Sequence, residues 1–171
     1  MNSKSIGNIG EAKVLCKFVE LNIPVYVPFG DNEKADLVAE FNGKLQKIQV
    51  KTSVKAENGK MSFDLTSSTV HRKNGLKHKY TQNEIDYFAL YNIERDIVLL
   101  FKVPETPINA ITIRYEKPLN NQEKYINYEQ DYLIENRILS KRTSKLIDGR
   151  DITDEELAKE RLKLEAIKNG K

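Results

Sequence analysis

The dipeptide Asn42-Gly43 stands between two strand-like runs, residues 36–41 and 44–53. Both residues tolerate the positive φ angles of a type I′ turn, whose twist matches that of paired strands, so the pattern predicts a two-residue β-hairpin. The register follows by counting outward: Phe41 pairs with Lys44, and Asp36 falls opposite Gln49. Directly opposed residues share a face and bring their Cβ atoms to about 4.5–5.5 Å. Lys51 lies two residues beyond Gln49 and shares that face by the strand period. Ile48 and Val50 point the other way, towards a core. An acid, an amide and an ammonium are thus expected on one small patch.

The pattern on either side indicates an α+β or mixed α/β domain. Asn8 to Leu21 reads as a helix with Ala12, Leu15, Cys16 and Val19 on one face. Asn22-Ile23-Pro24 stops it, since proline cannot continue a helix. Val25 to Val27 reads as a short strand, Phe29 to Lys34 as a loop, and Met61 to Leu65 as a further strand. Two apolar strands follow, Tyr87 to Tyr91 and Ile97 to Val103, joined by Glu94-Arg95-Asp96; Ala110 to Tyr115 is another. Thr153 with Glu156 forms a capping box for a last helix to about Lys168.

A chain of 171 residues with 39% hydrophobic content is one ordinary domain with a core. The net charge of +3 is too small for a non-specific DNA coat, so any DNA contact must come from local patches. The single cysteine, Cys16, cannot form an internal disulfide and fits a reducing cytoplasm; its apolar neighbours suggest a small buried core residue. One cysteine and two histidines cannot make a zinc tetrad. The N-terminus leads into no signal-peptide h-region, and no apolar run approaches the roughly 20 residues that span a bilayer.

The hairpin patch suits phosphodiester hydrolysis. Carboxylate and carbonyl oxygens bind Mg²⁺, which polarises a phosphate and lowers the pKa of a bound water. A nearby lysine can stabilise the charged transition state or help position the water. A second acid is wanted, and Glu11 in the first helix is the candidate, with Gly10 beside it allowing the helix to approach the sheet. The expected catalytic set is Glu11, Asp36, Gln49 and Lys51, with Asp36, Glu11 and Gln49 towards the metal. The basic stretch His71, Arg72, Lys73, Lys77, His78, Lys79, with its Asn74-Gly75 turn, reads either as a solvated loop or as phosphate contacts. Arg137, Lys141, Arg142 and Lys145 are either a second DNA-contacting surface or a charged helix face, and Lys13 and Lys17 share a helix with Glu11.

Glu11, then Asp36, then Gln49-Val50-Lys51 after a hairpin resembles the PD-(D/E)XK nuclease superfamily. The surrounding blocks are Gly7-Asn8-Ile9-Gly10-Glu11, Asp36-Leu37-Val38, Ile48-Gln49-Val50-Lys51-Thr52-Ser53 and Glu84-Ile85-Asp86-Tyr87-Phe88. Together they look most like the group I intron-encoded homing endonucleases of that superfamily, and less like archaeal Holliday junction resolvases. The resemblance covers roughly residues 5–105. Two positions depart from it: Ala35 stands for the family's proline, and Gln49 for its second acid. A glutamine still offers a carbonyl oxygen to a cation but no charge.

The resemblance implies an α/β core with a mixed central β-sheet flanked by helices: a nuclease core over residues 1–105, and residues 106–171 as a helical extension supplying DNA and oligomer contacts. It implies a sequence-specific endonuclease cutting double-stranded DNA with Mg²⁺, for which Mn²⁺ can substitute. One active site cuts one strand, so a double-strand break calls for a homo-oligomer, a dimer or tetramer. The alternatives are a structure-specific nuclease acting on branched DNA and a catalytically silent DNA-binding module, the latter supported by the neutral Gln49.

Overall fold

The computed structural model describes residues 2–30, 33–68, 77–118 and 124–142. Helix α1 (Ser3–Glu20) starts five residues earlier than the apolar pattern suggests, because the Asn2 side chain caps it by accepting the Ser5 N–H at 2.8 Å. Strands β1 (Val25–Tyr26), β2 (Leu37–Phe41) and β3 (Lys44–Ser53) follow. The turn between β2 and β3 has φ of 55° at Asn42 and 71° at Gly43, and Leu37 pairs with Ile48 through to Phe41 with Lys44, the expected register.

A second Asn-Gly turn, Asn58-Gly59, repeats these angles (54° and 71°) between β4 (Ala56–Glu57) and β5 (Lys60–Asp64). The sequence pattern does not reveal this small hairpin because strand β4 is only two residues long. A ribbon of β6 (Thr66–Ser68) and β7 (Lys77–Lys79) comes next, then β8 (Tyr87–Asn92), β9 (Ile97–Lys102), β10 (Ala110–Arg114) and helix α2 (Ile134–Arg142). The expected helix from Thr153 lies outside the described residues.

The central sheet runs β1-β2-β3-β8-β9. β3 and β8 are parallel and the other pairings antiparallel, so the sheet is mixed. Alternation along β8 builds a core on each face. Ala89 and Tyr91 join Val14, Phe18, Ile48, Val50, Ile134 and Ile138 on one side; Phe88 and Leu90 join Met61, Phe63, Ile111 and Ile113 on the other. Among the described residues both helices therefore cover one face, while the second sheet, β10-β5-β4, covers the other. No described helix is long and apolar enough to cross a membrane.

Helix α1 docks through Gly10, Val14 and Phe18, not through Ala12, Cys16 and Val19, which are exposed. Cys16 is thus not a core residue; its Sγ lies 3.6 Å from Glu20 Oε1. The phase is set by Gly10: a Cβ there would overlap Thr52 Oγ1 and lie 3.1 Å from Thr52 Cβ, so only glycine lets the helix rest on β3 at this height. Gly10→Ala should destabilise the fold by about 1–3 kcal/mol in urea unfolding through overpacking, although alanine is the better helix former by about 1 kcal/mol. Adding Thr52→Ala should recover part of the loss, the non-additivity expected of touching residues.

Candidate active site

β3 runs past its partner. Pairing with β2 ends at Leu37 and Ile48, while Gln49 to Ser53 continue beside β8 alone. At this fork Asp36 turns its carboxylate inward. The Val50 N–H, left without a strand partner on that side, donates to Asp36 Oδ2 at 2.7 Å, and Gln49 Nε2 donates to the same oxygen. Gln49 is 8% exposed, and its Nε2 also donates to the Val50 carbonyl at 3.3 Å. With both amide hydrogens so used, Oε1 is the atom that can turn to a cation.

Asp36 is half-buried, and none of the ion pairs among the described residues includes it. Burial pushes its pKa up to about 6 against the pull of the Val50 N–H, and the negative charge of Glu11 adds to the rise. Lys51 acts in the opposite sense but more weakly. Its ammonium donates to the Thr66 carbonyl at 2.8 Å and lies 4.9 Å from the centre of the Tyr80 ring. Burial lowers the pKa of Lys51, while the charges of Asp36 and Asp64 counter it.

Asp36 thus accepts from the Gln49 amide and feels the charge of Lys51, its two neighbours by the hairpin register, and that of Glu11 on helix α1. Among the described residues no group of three or more His, Cys, Asp or Glu side chains is placed to hold a metal; position 49 contributes an amide and not an acid. The donor set nonetheless fits a hard divalent cation: a half-buried carboxylate with no ion pair, an amide oxygen and a second acid nearby.

The basic residues are distributed differently. Lys13 Nζ lies 2.8 Å from Asp96 Oδ1, and Lys17 Nζ lies 2.6 Å from Glu135 Oε1, so both are engaged in ion pairs away from this set. Lys77 Nζ reaches Asp64 Oδ2 at 2.7 Å, His78 Nε2 lies 2.9 Å from Glu84 Oε1, and Lys79 is exposed. Arg137 donates to the Asp131 carbonyl at 2.7 Å and lies over the Tyr132 ring. His71, Arg72, Lys73 and Lys145, and the side chains of Lys141 and Arg142, lie outside the described residues.

Three residues absent from the sequence-based set sit around Lys51. They are Thr66, Tyr80 and Asp64, whose carboxyl, although burial works against it, is held down at about 2 by Lys77 and Thr66. Asp64 lies on the expected strand Met61 to Leu65, but the polar run before Tyr80 offered no apolar period to show that Thr66 and Tyr80 fold back around Lys51.

An upward shift at Asp36 has a definite sign. As pH rises from about 4 to 6, the unfolded chain loses its Asp36 proton first, so the metal-free fold loses stability over that window and does not regain it above. The metal-free wild type should therefore lose about 1–3 kcal/mol more between pH 4 and pH 7 than Asp36→Asn does. Urea unfolding of both proteins across that range in a chelating buffer measures the difference.

Comparison with known proteins agrees with this fold. The family model for PD-(D/E)XK endonucleases matches residues 1–135. A solved bacterial homing endonuclease, I-Ssp6803I, superposes with a TM-score of 0.66 at 19% sequence identity, covering 85% of this chain and 98% of that one. No curated protein matches. Nucleases of this family generally use divalent metal ions. With its mixed sheet, its hairpin-borne Asp36 and Gln49-Val50-Lys51, and a family match across most of its length, the chain belongs to the PD-(D/E)XK endonuclease family.

Proposed function

We propose that the protein is a Mg²⁺-dependent endonuclease that cuts double-stranded DNA at a specific sequence, as a homing-type enzyme. The observation that carries this reading is the half-buried Asp36 carboxylate at the fork of β2 and β3, with the Gln49 amide on it and the charges of Glu11 and Lys51 beside it. The fold shared with a bacterial homing endonuclease supports the homing assignment.

In this reading Asp36 holds the metal, with Glu11 and Gln49 Oε1 assisting. A bound Mg²⁺ supplies charge neutralisation and a water acidified towards hydroxide. Hydrolysis forms a bond from a water oxygen to phosphorus and breaks the opposite phosphorus–oxygen ester bond, with a proton passing to the leaving oxygen. Negative charge grows on the phosphoryl oxygens as this happens. The Lys51 ammonium, donating to the Thr66 carbonyl at 2.8 Å, lies where it can compensate that charge. The half-buried setting strengthens the compensation.

DNA contacts are assigned to the ribbon residues Lys77, His78 and Lys79, to His71, Arg72 and Lys73 between its strands, and to Arg137, Lys141, Arg142 and Lys145. Lys13 and Lys17 would have to leave their carboxylate partners to meet a phosphate. Residues 1–105 are assigned as the nuclease core. Residues 106–171 complete the domain and carry oligomer contacts, since a break in both strands calls for two sites. A dimer or tetramer is expected at micromolar concentration, and a strictly monomeric mass would count against it.

Gln49 supports a second reading, a DNA-binding module without catalysis, because its amide rather than a second carboxylate faces Asp36. Cleavage of a plasmid library in Mg²⁺ or Mn²⁺ separates the two. The enzyme reading expects wild type to cut at a defined site and Lys51→Ala to lose at least about 100-fold in rate. Binding by both proteins with no cutting by either would favour the silent module. Faster cutting of a four-way junction than of linear duplex would instead favour a structure-specific nuclease.

A further inference from the structure

Lys51 is the one residue of the proposed catalytic set whose charged end is fixed by residues outside the hairpin and helix. Its Nζ donates to the Thr66 carbonyl at 2.8 Å and faces the Tyr80 ring at 4.9 Å from the centroid. An ammonium has three N–H bonds. A carbonyl takes one, and an aromatic face attracts the same charge through its quadrupole.

These two partners are the two ends of one element. Thr66 opens β6, and Tyr80 directly follows β7, with Thr66 paired to Lys79 across the ribbon. Each end is itself held. Asp64 Oδ1 accepts the Thr66 N–H at 2.8 Å and its hydroxyl at 2.6 Å. The Tyr80 ring meets Phe88 edge-on, with centroids 5.6 Å apart and planes at 88°, and its hydroxyl bonds the Ser67 side chain. Phe88 is the register partner of Gln49 in β3–β8 pairing, so the ring is braced against the strand that lies beside the one carrying the amide. Tyr80 is 6% exposed. A residue so enclosed has little surface to offer DNA, yet its ring face is turned to a lysine.

We propose that Tyr80 is a positioning residue. With the Thr66 carbonyl, its ring clamps the Lys51 ammonium beside Asp36 and Gln49, so that the base of the β6–β7 ribbon sets the catalytic geometry. The ring face does the work and the hydroxyl does not, because the cation contact runs to the ring while the hydroxyl is committed to Ser67. The inference rests on the role proposed above for Lys51, but the position of the ammonium can be read without any cleavage.

Two measurements test it. The first is the NMR shift of the Lys51 Hε protons, assigned by their disappearance in Lys51→Arg. A ring face above the ammonium moves them upfield in wild type and in Tyr80→Phe, and the displacement vanishes in Tyr80→Leu. Random-coil Hε shifts in the wild type would overturn the proposal even if Tyr80→Leu failed to fold. The second is steady-state cleavage, in Mg²⁺, of a supercoiled plasmid carrying the sequence recovered from the library. Tyr80→Phe should cut within about twofold of wild type. Tyr80→Leu, folded by circular dichroism, should lose about tenfold or more in kcat with KM for the plasmid within about twofold. An unchanged kcat in Tyr80→Leu, or an equal loss in Tyr80→Phe, would overturn the proposal while leaving the nuclease reading intact. A wild type that shows the upfield shift but cuts no DNA would sink the nuclease reading and leave the clamp standing.

Discussion

The bond from the Val50 N–H to the Asp36 carboxylate, 2.7 Å long, is the contact on which the site depends. It forms where β2 stops and β3 continues, a place where a strand edge would otherwise expose an unpaired donor. A side chain replaces the missing strand, and in doing so an acid is drawn into half-buried surroundings beside a second acid. The arrangement opposes ionisation and leaves a carboxylate whose charge is incompletely compensated by the protein. Such a site is disposed to accept a cation, and its cost to the fold is set against the stability of the two cores around it.

Two other features of the fold hold partners near this fork. Gly10 lets α1 settle onto β3 at Thr52, which brings Glu11 close enough to act on Asp36. The parallel pairing of β3 with β8 is bridged by a chain segment that carries β4 to β7, and this crossover supplies the ribbon whose ends hold Lys51. The candidate site therefore stands on strands and a helix packed by two hydrophobic cores, with Glu11 on α1, Asp36 just before β2, and Gln49 and Lys51 on β3.

How much of this was legible in the sequence depended on whether a local rule decided the position. The hairpin register was, because Asn42-Gly43 admits one turn and the strand period is two. Asp36, Gln49 and Lys51 followed from it. The face of α1 was not, because two sets of apolar residues compete on that helix. The choice between Cys16 with Val19 and Val14 with Phe18 is made by a close approach at Gly10 that involves Thr52, 42 residues away. The Asn58-Gly59 turn carried the right signal, but β4 is too short to show a period. Thr66 and Tyr80 lie beside a polar basic run, and their place around Lys51 exists only in tertiary contact. The 3-10 turn at Glu129–Asp131 and helix α2 fall where the apolar pattern is weak; among the described side chains Ile134 and Ile138 carry α2 into the core.

The central claim is that Asp36 organises a divalent-cation site in a chain where glutamine stands for the second acid. Titration of Mn²⁺ into the free protein, followed by the loss of the free-ion signal in electron paramagnetic resonance, tests it most directly. The account predicts saturable binding by wild type at neutral pH, tighter binding by Gln49→Glu, and loss of that binding in Asp36→Ala with the fold intact. Binding by a folded Asp36→Ala protein equal to that of wild type would contradict it.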